Sequence, residues 1–86
     1  MQMLYRQDIE DYDTWKRVFD AETETRDAAG LRLLQIWRER GVSSVWMLFE
    51  VTDPDRARAW IDSGRAGLHG RHAGVTGGQA HFLDTA

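Results

Sequence analysis

The run Val45-Trp46-Met47-Leu48-Phe49 is the feature that most restricts how this chain can fold. It sits inside a predicted strand, Ser44 to Val51, in which successive side chains point to opposite faces. Val45, Met47 and Phe49 take one face, and Trp46 and Leu48 share the other with Glu50. A strand that is apolar on both faces needs a cover on both. Helices of the same chain supply one cover. A second sheet must supply the other, and a second copy of the chain is its obvious source. Size points the same way. The 86 residues are enough for a single domain, 1–86, with a marginal core. Small domains of this kind are supported by disulfides, metals or association. There is no cysteine, so disulfides and thiolate metal sites are excluded. Association as a homodimer remains, and four Trp, three Phe and two Tyr supply large apolar surfaces for it.

Around this strand the other elements follow from local patterning. Met1 to Ile9 alternates as a strand, with Met3, Tyr5, Gln7 and Ile9 on one face and Leu4 and Arg6 on the other. Glu10-Asp11-Tyr12-Asp13 opens a helix, and either Asp11 or Asp13 can cap it. That helix is predicted to run to about Ala29 and to stop at Gly30. Trp15, Phe19, Glu22 and Arg26 share one helical face, with Tyr12 and Val18 beside it. Leu31 to Arg38 is a second strand, turned at Gly41 into Ser44–Val51. Thr52 or Asp53 caps a second helix that begins at Pro54, where the missing amide costs nothing, with an apolar stripe of Ala57, Trp60 and Ile61. Ser63-Gly64 ends or kinks it. Residues 65–74 carry three glycines and are expected to form a loose turn or short helix, a lid over a pocket mouth. Gly77-Gly78 is read as a break, with the last strand following from Gln79 to Leu83.

The predicted order is β-α-β-β-α-β, an α+β, ferredoxin-like split motif with a four-stranded antiparallel sheet. The formal charge of −3 comes without a basic stripe, so nucleic acid is not an expected partner. No apolar run approaches a membrane span, and no charged segment precedes an apolar one at the start. A cytoplasmic protein is the expectation. No nucleophile motif, phosphate loop or dinucleotide fingerprint is present. Gly74-Val75-Thr76-Gly77-Gly78 lacks the lysine of a phosphate loop and precedes a strand.

The stretch Tyr5-Arg6-Gln7-Asp8-Ile9-Glu10-Asp11-Tyr12-Asp13-Thr14-Trp15-Lys16 resembles the opening of small dimeric α/β-barrel proteins. Phe19-Asp20, Arg26, Gly30, Leu48-Phe49-Glu50, the second capped helix, Ala73-Gly74-Val75 and Phe82-Leu83 continue the likeness in order, across nearly the whole chain. The superfamily includes antibiotic-biosynthesis monooxygenases and small polyketide cyclases. The resemblance implies two four-stranded sheets packed face to face across a dimer, with a pocket between the sheet and helices of each subunit. Gln7 stands where many relatives carry a pocket histidine, and Glu22 where close relatives often have one. Arg26 matches a recurrent arginine, and His81 occupies a position that is often tyrosine. Without a histidine at 7 or 22, the mechanism of a cyclase or monooxygenase does not transfer directly.

The expected site combines both lines of reading. Tyr5, Gln7, Trp15, Phe19, Arg26 and His69 are the candidate substrate-binding residues, and His81, Glu22 and His72 the candidate catalytic ones. Glu22 and Arg26, four apart, form either a carboxylate–guanidinium pair inside the pocket or an ordinary rim pair stabilising by about 0.2–0.5 kcal/mol. A carboxylate tied to Arg26 is a poor proton donor, which shifts that role to His81 or a lid histidine. A metal site built from His69, His72, His81 and Glu22 matches no standard spacing, and neither metal nor cofactor is expected. Gln7 needs a hydrogen-bond partner, and Tyr5 and Glu22 are within plausible reach. Two functions follow. One is a cofactor-independent cyclase, isomerase or monooxygenase acting on a polyketide-like or phenolic substrate. The other is a non-catalytic homodimeric module for ligand binding or interaction.

Overall fold

A computed structural model describes residues 1–62 and 74–86. The elements are β1 (Gln2–Ile9), α1 (Tyr12–Ala21), α2 (Thr23–Ala28), β2 (Leu31–Arg38), β3 (Ser44–Val51), α3 (Pro54–Asp62) and β4 (Val75–Leu83). The four strands form one antiparallel sheet in the order β2-β3-β1-β4. This is the α+β ferredoxin-like arrangement, with β1 and β3 in the centre.

The alternation of β1 and β3 sets the two faces. Met3, Tyr5, Gln7 and Ile9 of β1 are buried, as are Val45, Met47, Phe49 and Val51 of β3. They join Trp15, Phe19, Ala29, Leu31 and Ala57 in a single core between sheet and helices. Full burial of side chains of this size contributes about 1.5–3 kcal/mol each. The other face carries Leu4 and Arg6 beside Leu48 and Trp46, their cross-strand partners.

Both helix starts resolve to one capping residue. Asp11 accepts from the Thr14 amide at 2.9 Å, and Asp53 accepts from the Arg56 amide at 3.1 Å. Gly30 has φ +73°, and a Cβ there would lie 2.8 Å from Thr52 Oγ1. Its carbonyl receives the Thr52 amide at 2.9 Å, so the end of α2 is bonded to the residue just after β3.

Two expectations are corrected. The helix from Tyr12 to Ala29 is not continuous: it breaks at Glu22, whose backbone has φ −100° and ψ 15° and whose amide turns to Phe19 O at 3.2 Å. Arg26 holds that break open by donating from its own guanidinium to the same Phe19 carbonyl at 2.6 Å. The last strand starts at Val75 rather than Gln79. Gly77 and Gly78 do not interrupt it but pair with Asp8 and Gln7. A Cβ at Gly78 would sit 2.8 Å from the Arg6 carbonyl, so the strand passes β1 at a distance that only glycine permits. The register shifts between Asp8 and Ile9, a bulge of the kind that bends a strand locally. The expected lid, 65–74, lies outside the described residues except for Gly74.

Candidate functional site

The helix-facing side of the sheet holds a polar group within an apolar core. β1 places Tyr5 and Gln7 two residues apart on that face, and the Asp11 cap sets α1 so that Trp15 reaches down onto them. Trp15 Nε1 donates to Gln7 Oε1 at 2.8 Å, with Trp15 1 % and Gln7 9 % exposed. Tyr5, beside Gln7 on the same face of β1, is 8 % exposed. The hydrogen-bond partner Gln7 finds is thus Trp15, where Tyr5 and Glu22 were expected. Burial raises the pKa of the Tyr5 phenol, and the Gln7 contact offsets this only in part, so the phenol keeps its proton at neutral pH.

Beside this group runs a column of rings. Trp15 and Phe19 stack with centroids 4.8 Å apart and planes at 24°. Tyr12 adds a tilted ring 5.9 Å from Trp15. Each end is closed by a guanidinium, Arg26 at 3.6 Å from the Phe19 centroid and Arg38 at 4.1 Å from that of Tyr12. Such cation–ring contacts contribute about 0.5–1 kcal/mol when exposed and more when desolvated. Arg26 is 6 % exposed. Burial lowers its pKa, partly offset by Asp20, Asp27 and Glu22. Its hydrogen bonds go to the Phe19 carbonyl and, at 3.4 Å, to Thr23 Oγ1.

Tyr5, Gln7, Trp15, Phe19 and Arg26 are therefore brought together, with Arg26 at the far end of the column. Glu22 does not form the expected side-chain pair with Arg26. Its charge acts on Arg26 through space, behind that of Asp20 and Asp27. His81 does not join the group either. It pairs with Leu4 and is exposed on the opposite face of the sheet, because β4 alternates in step with β1. Glu22 and His81 thus stand on opposite sides of the sheet. His69 and His72 lie outside the described residues. Sequence reasoning missed Arg38, which reaches Tyr12 because it occupies a helix-facing position at the end of β2 opposite Val45. Tyr12, Trp15 and Phe19 at i, i+3 and i+7 signalled the ring column but not its caps. A separate open cleft of about 500 Å³ lies between α2 and α3, lined by Glu24, Thr25, Ala28, Arg56 and Trp60 among others. It does not include Tyr5, Gln7 or Trp15.

The opposite face has a different character. Leu34, Trp37 and Leu83 are 41 %, 45 % and 44 % exposed. Trp37 lies across from Trp46, whose ring nitrogen donates to Glu39 at 2.7 Å and whose ring carries the Arg6 guanidinium at 5.9 Å.

No protein-family model and no curated protein matches the chain. Solved structures do match along its length. It is similar to a NIPSNAP domain protein of Burkholderia xenovorans, with 16 % identity and a TM-score of 0.61 over 100 % of this chain and 95 % of that one. An antibiotic biosynthesis monooxygenase-like protein of Deinococcus radiodurans aligns with 10 % identity and a TM-score of 0.56, over 100 % of this chain and 95 % of that one. A transcriptional regulator of Neisseria meningitidis, solved as a complex with L-Met, aligns over 98 % of this chain at 18 % identity and a TM-score of 0.58. The chain spans 49 % of that regulator. These likenesses define the class by architecture: the ferredoxin-like α+β fold shared with antibiotic biosynthesis monooxygenase-like proteins. Among the described residues no helix is long and apolar enough to cross a membrane.

Proposed function

We propose that this protein is a homodimeric small-molecule-binding protein whose ligand is received on the helix-facing side of the sheet, at Tyr5 and Gln7. The observation that carries the reading is the Trp15–Gln7 hydrogen bond beside the buried Tyr5, a neutral polar group built into an aromatic core. Sites for small molecules have this composition, mostly apolar with a few placed polar groups. Stacked Trp15 and Phe19 favour a planar ligand, of the phenolic or polyketide-like class. The exposed Leu34, Trp37 and Leu83 support pairing of two sheets face to face.

A second, catalytic reading draws its proton donor from Tyr5, the buried phenol on this face. A cofactor-independent cyclase or isomerase needs a positioned acid, and Tyr5 takes that role in place of His81, which faces away. Both readings are tested on one sample by recording molecular mass together with the melting temperature across a panel of phenolic and polyketide-like compounds. Ligand that binds the native state raises the melting temperature by mass action. A dimeric mass with a shift that Tyr5→Phe diminishes is the expected result. A monomer removes the dimer, and a dimer with no shift across the panel removes the ligand site.

A further inference from the structure

We infer that the cleft between α2 and α3 is a second binding site, for a small zwitterion whose two charges are held apart by an apolar chain. It is independent of the site proposed at Tyr5 and Gln7. The cleft measures about 500 Å³, within the range of small-molecule sites. Helical spacing builds its walls. Glu24 and Ala28, four apart, share one side of α2, and Arg56, Ala59 and Trp60 share one side of α3. Ala28, Ala29 and Ala59 present only methyl groups to it, so the two helices leave a gap. The walls are fixed at one end by Gly30. Its carbonyl accepts from the Thr52 amide at 2.9 Å and from the Thr52 hydroxyl at 3.2 Å, which ties the end of α2 to the start of α3. The opening is thus set by the fold.

Its charges say what fits. Glu24 stands on one wall and Arg56 on the other. Arg56 pairs on its own side of the cleft, through Nε with the Asp53 carboxylate at 3.4 Å, and not with Glu24. Its two terminal nitrogens are the fork that holds a carboxylate through parallel hydrogen bonds. The Glu24 carboxylate only accepts, and it complements an ammonium group. Between the two charges lie the alanine methyls and the Trp60 ring, a surface suited to methylene groups. The complement of the cleft is therefore a compound of ω-amino acid type, with an ammonium at one end, a carboxylate at the other and a short hydrocarbon chain between them.

The test titrates ¹⁵N-labelled protein with 6-aminohexanoate, hexanoate and hexylamine, following backbone amide shifts by NMR. The zwitterion is expected to move amides along α2 and α3, and to bind about tenfold more tightly than either singly charged probe, the scale of one charge-assisted hydrogen bond. Glu24→Gln should erase its advantage over hexanoate, and Arg56→Gln its advantage over hexylamine. Ala59, an exposed position, offers a control: Ala59→Leu fills the cleft and should abolish binding of all three probes while circular dichroism stays unchanged. A merely structural effect of the charge substitutions would weaken the three probes alike and overturn the assignment of charges. Equal affinity of wild type for the three probes, or an advantage that survives both charge substitutions, overturns the inference. So does an absence of shifts along the cleft. Shifts confined to Tyr5, Gln7 and their neighbours assign the probe to the other site and likewise overturn this one.

Discussion

Trp15 has two roles, and they separate by substitution. Its ring stacks on Phe19, and its N–H satisfies the buried Gln7 oxygen. Trp15→Phe keeps much of the first and removes the second. Leaving the Gln7 acceptor unpaired costs about 1–3 kcal/mol, measurable as a shift in the denaturant midpoint. Gln7→Leu in the same background should recover part of that loss, since the orphaned group is then gone. Tyr5 contributes a pH dependence. Its pKa is raised in the folded protein, so the unfolded chain ionises first. Below the unfolded value, near 10.0, the contribution is fully present. It is lost as pH rises from there through the folded value, and stability falls. Tyr5→Phe should flatten that alkaline decline in melting experiments above pH 10. At this scale the placement of several candidate residues was legible. Alternation alone put Tyr5 and Gln7 on one face, and helical spacing put Trp15 and Phe19 over them. The failures have a physical source. His81 was assigned by its likeness to a family position, whereas its pairing with Leu4 depends on the register of β4, which the Gly77-Gly78 pair obscured.

At the scale of elements, two glycines with positive φ offer a controlled contrast. Gly30 and Gly41 have φ of +73° and +86°. A Cβ at Gly41 meets nothing within 4 Å, whereas at Gly30 it meets Thr52 Oγ1 at 2.8 Å and the Asp53 amide nitrogen at 3.1 Å. Gly41→Ala should therefore cost only the backbone preference, about 1–2 kcal/mol. Gly30→Ala should cost clearly more, because it also pushes on the residues that start α3; urea denaturation of the two variants decides it. Strand and turn positions such as these were readable from sequence, including all of β2 and β3. The break between α1 and α2 was not. No proline or glycine marks Glu22. The break arises because Arg26 is buried against Phe19 and takes its carbonyl, a tertiary contact that overrides local helical preference. The bulge at Asp8 and Ile9 was equally invisible, since it is a property of two strands rather than one.

For the whole molecule, the Trp46 face was correctly read from β3 as apolar, and the exposed Trp37 and Leu34 extend it onto β2. If two sheets pair across this face, Trp37→Glu places charges against each other at the contact and should yield a monomer by analytical ultracentrifugation, with little change in far-ultraviolet circular dichroism. A wild-type protein that is already monomeric would show the proposed pairing to be mistaken. The order of strands has a further consequence, in time rather than in space. β1 is central, with Gln2 facing Glu50 on one side and Leu83 on the other. Among the described strands only the β2–β3 hairpin joins neighbours in the chain. All other pairing closes long loops, whose entropy must be overcome before the contacts repay it. The hairpin is the piece able to form early, and the strand that carries Tyr5 and Gln7 acquires its second neighbour only when β4 docks. That strand is thereby held on both sides by pairings of high loop cost.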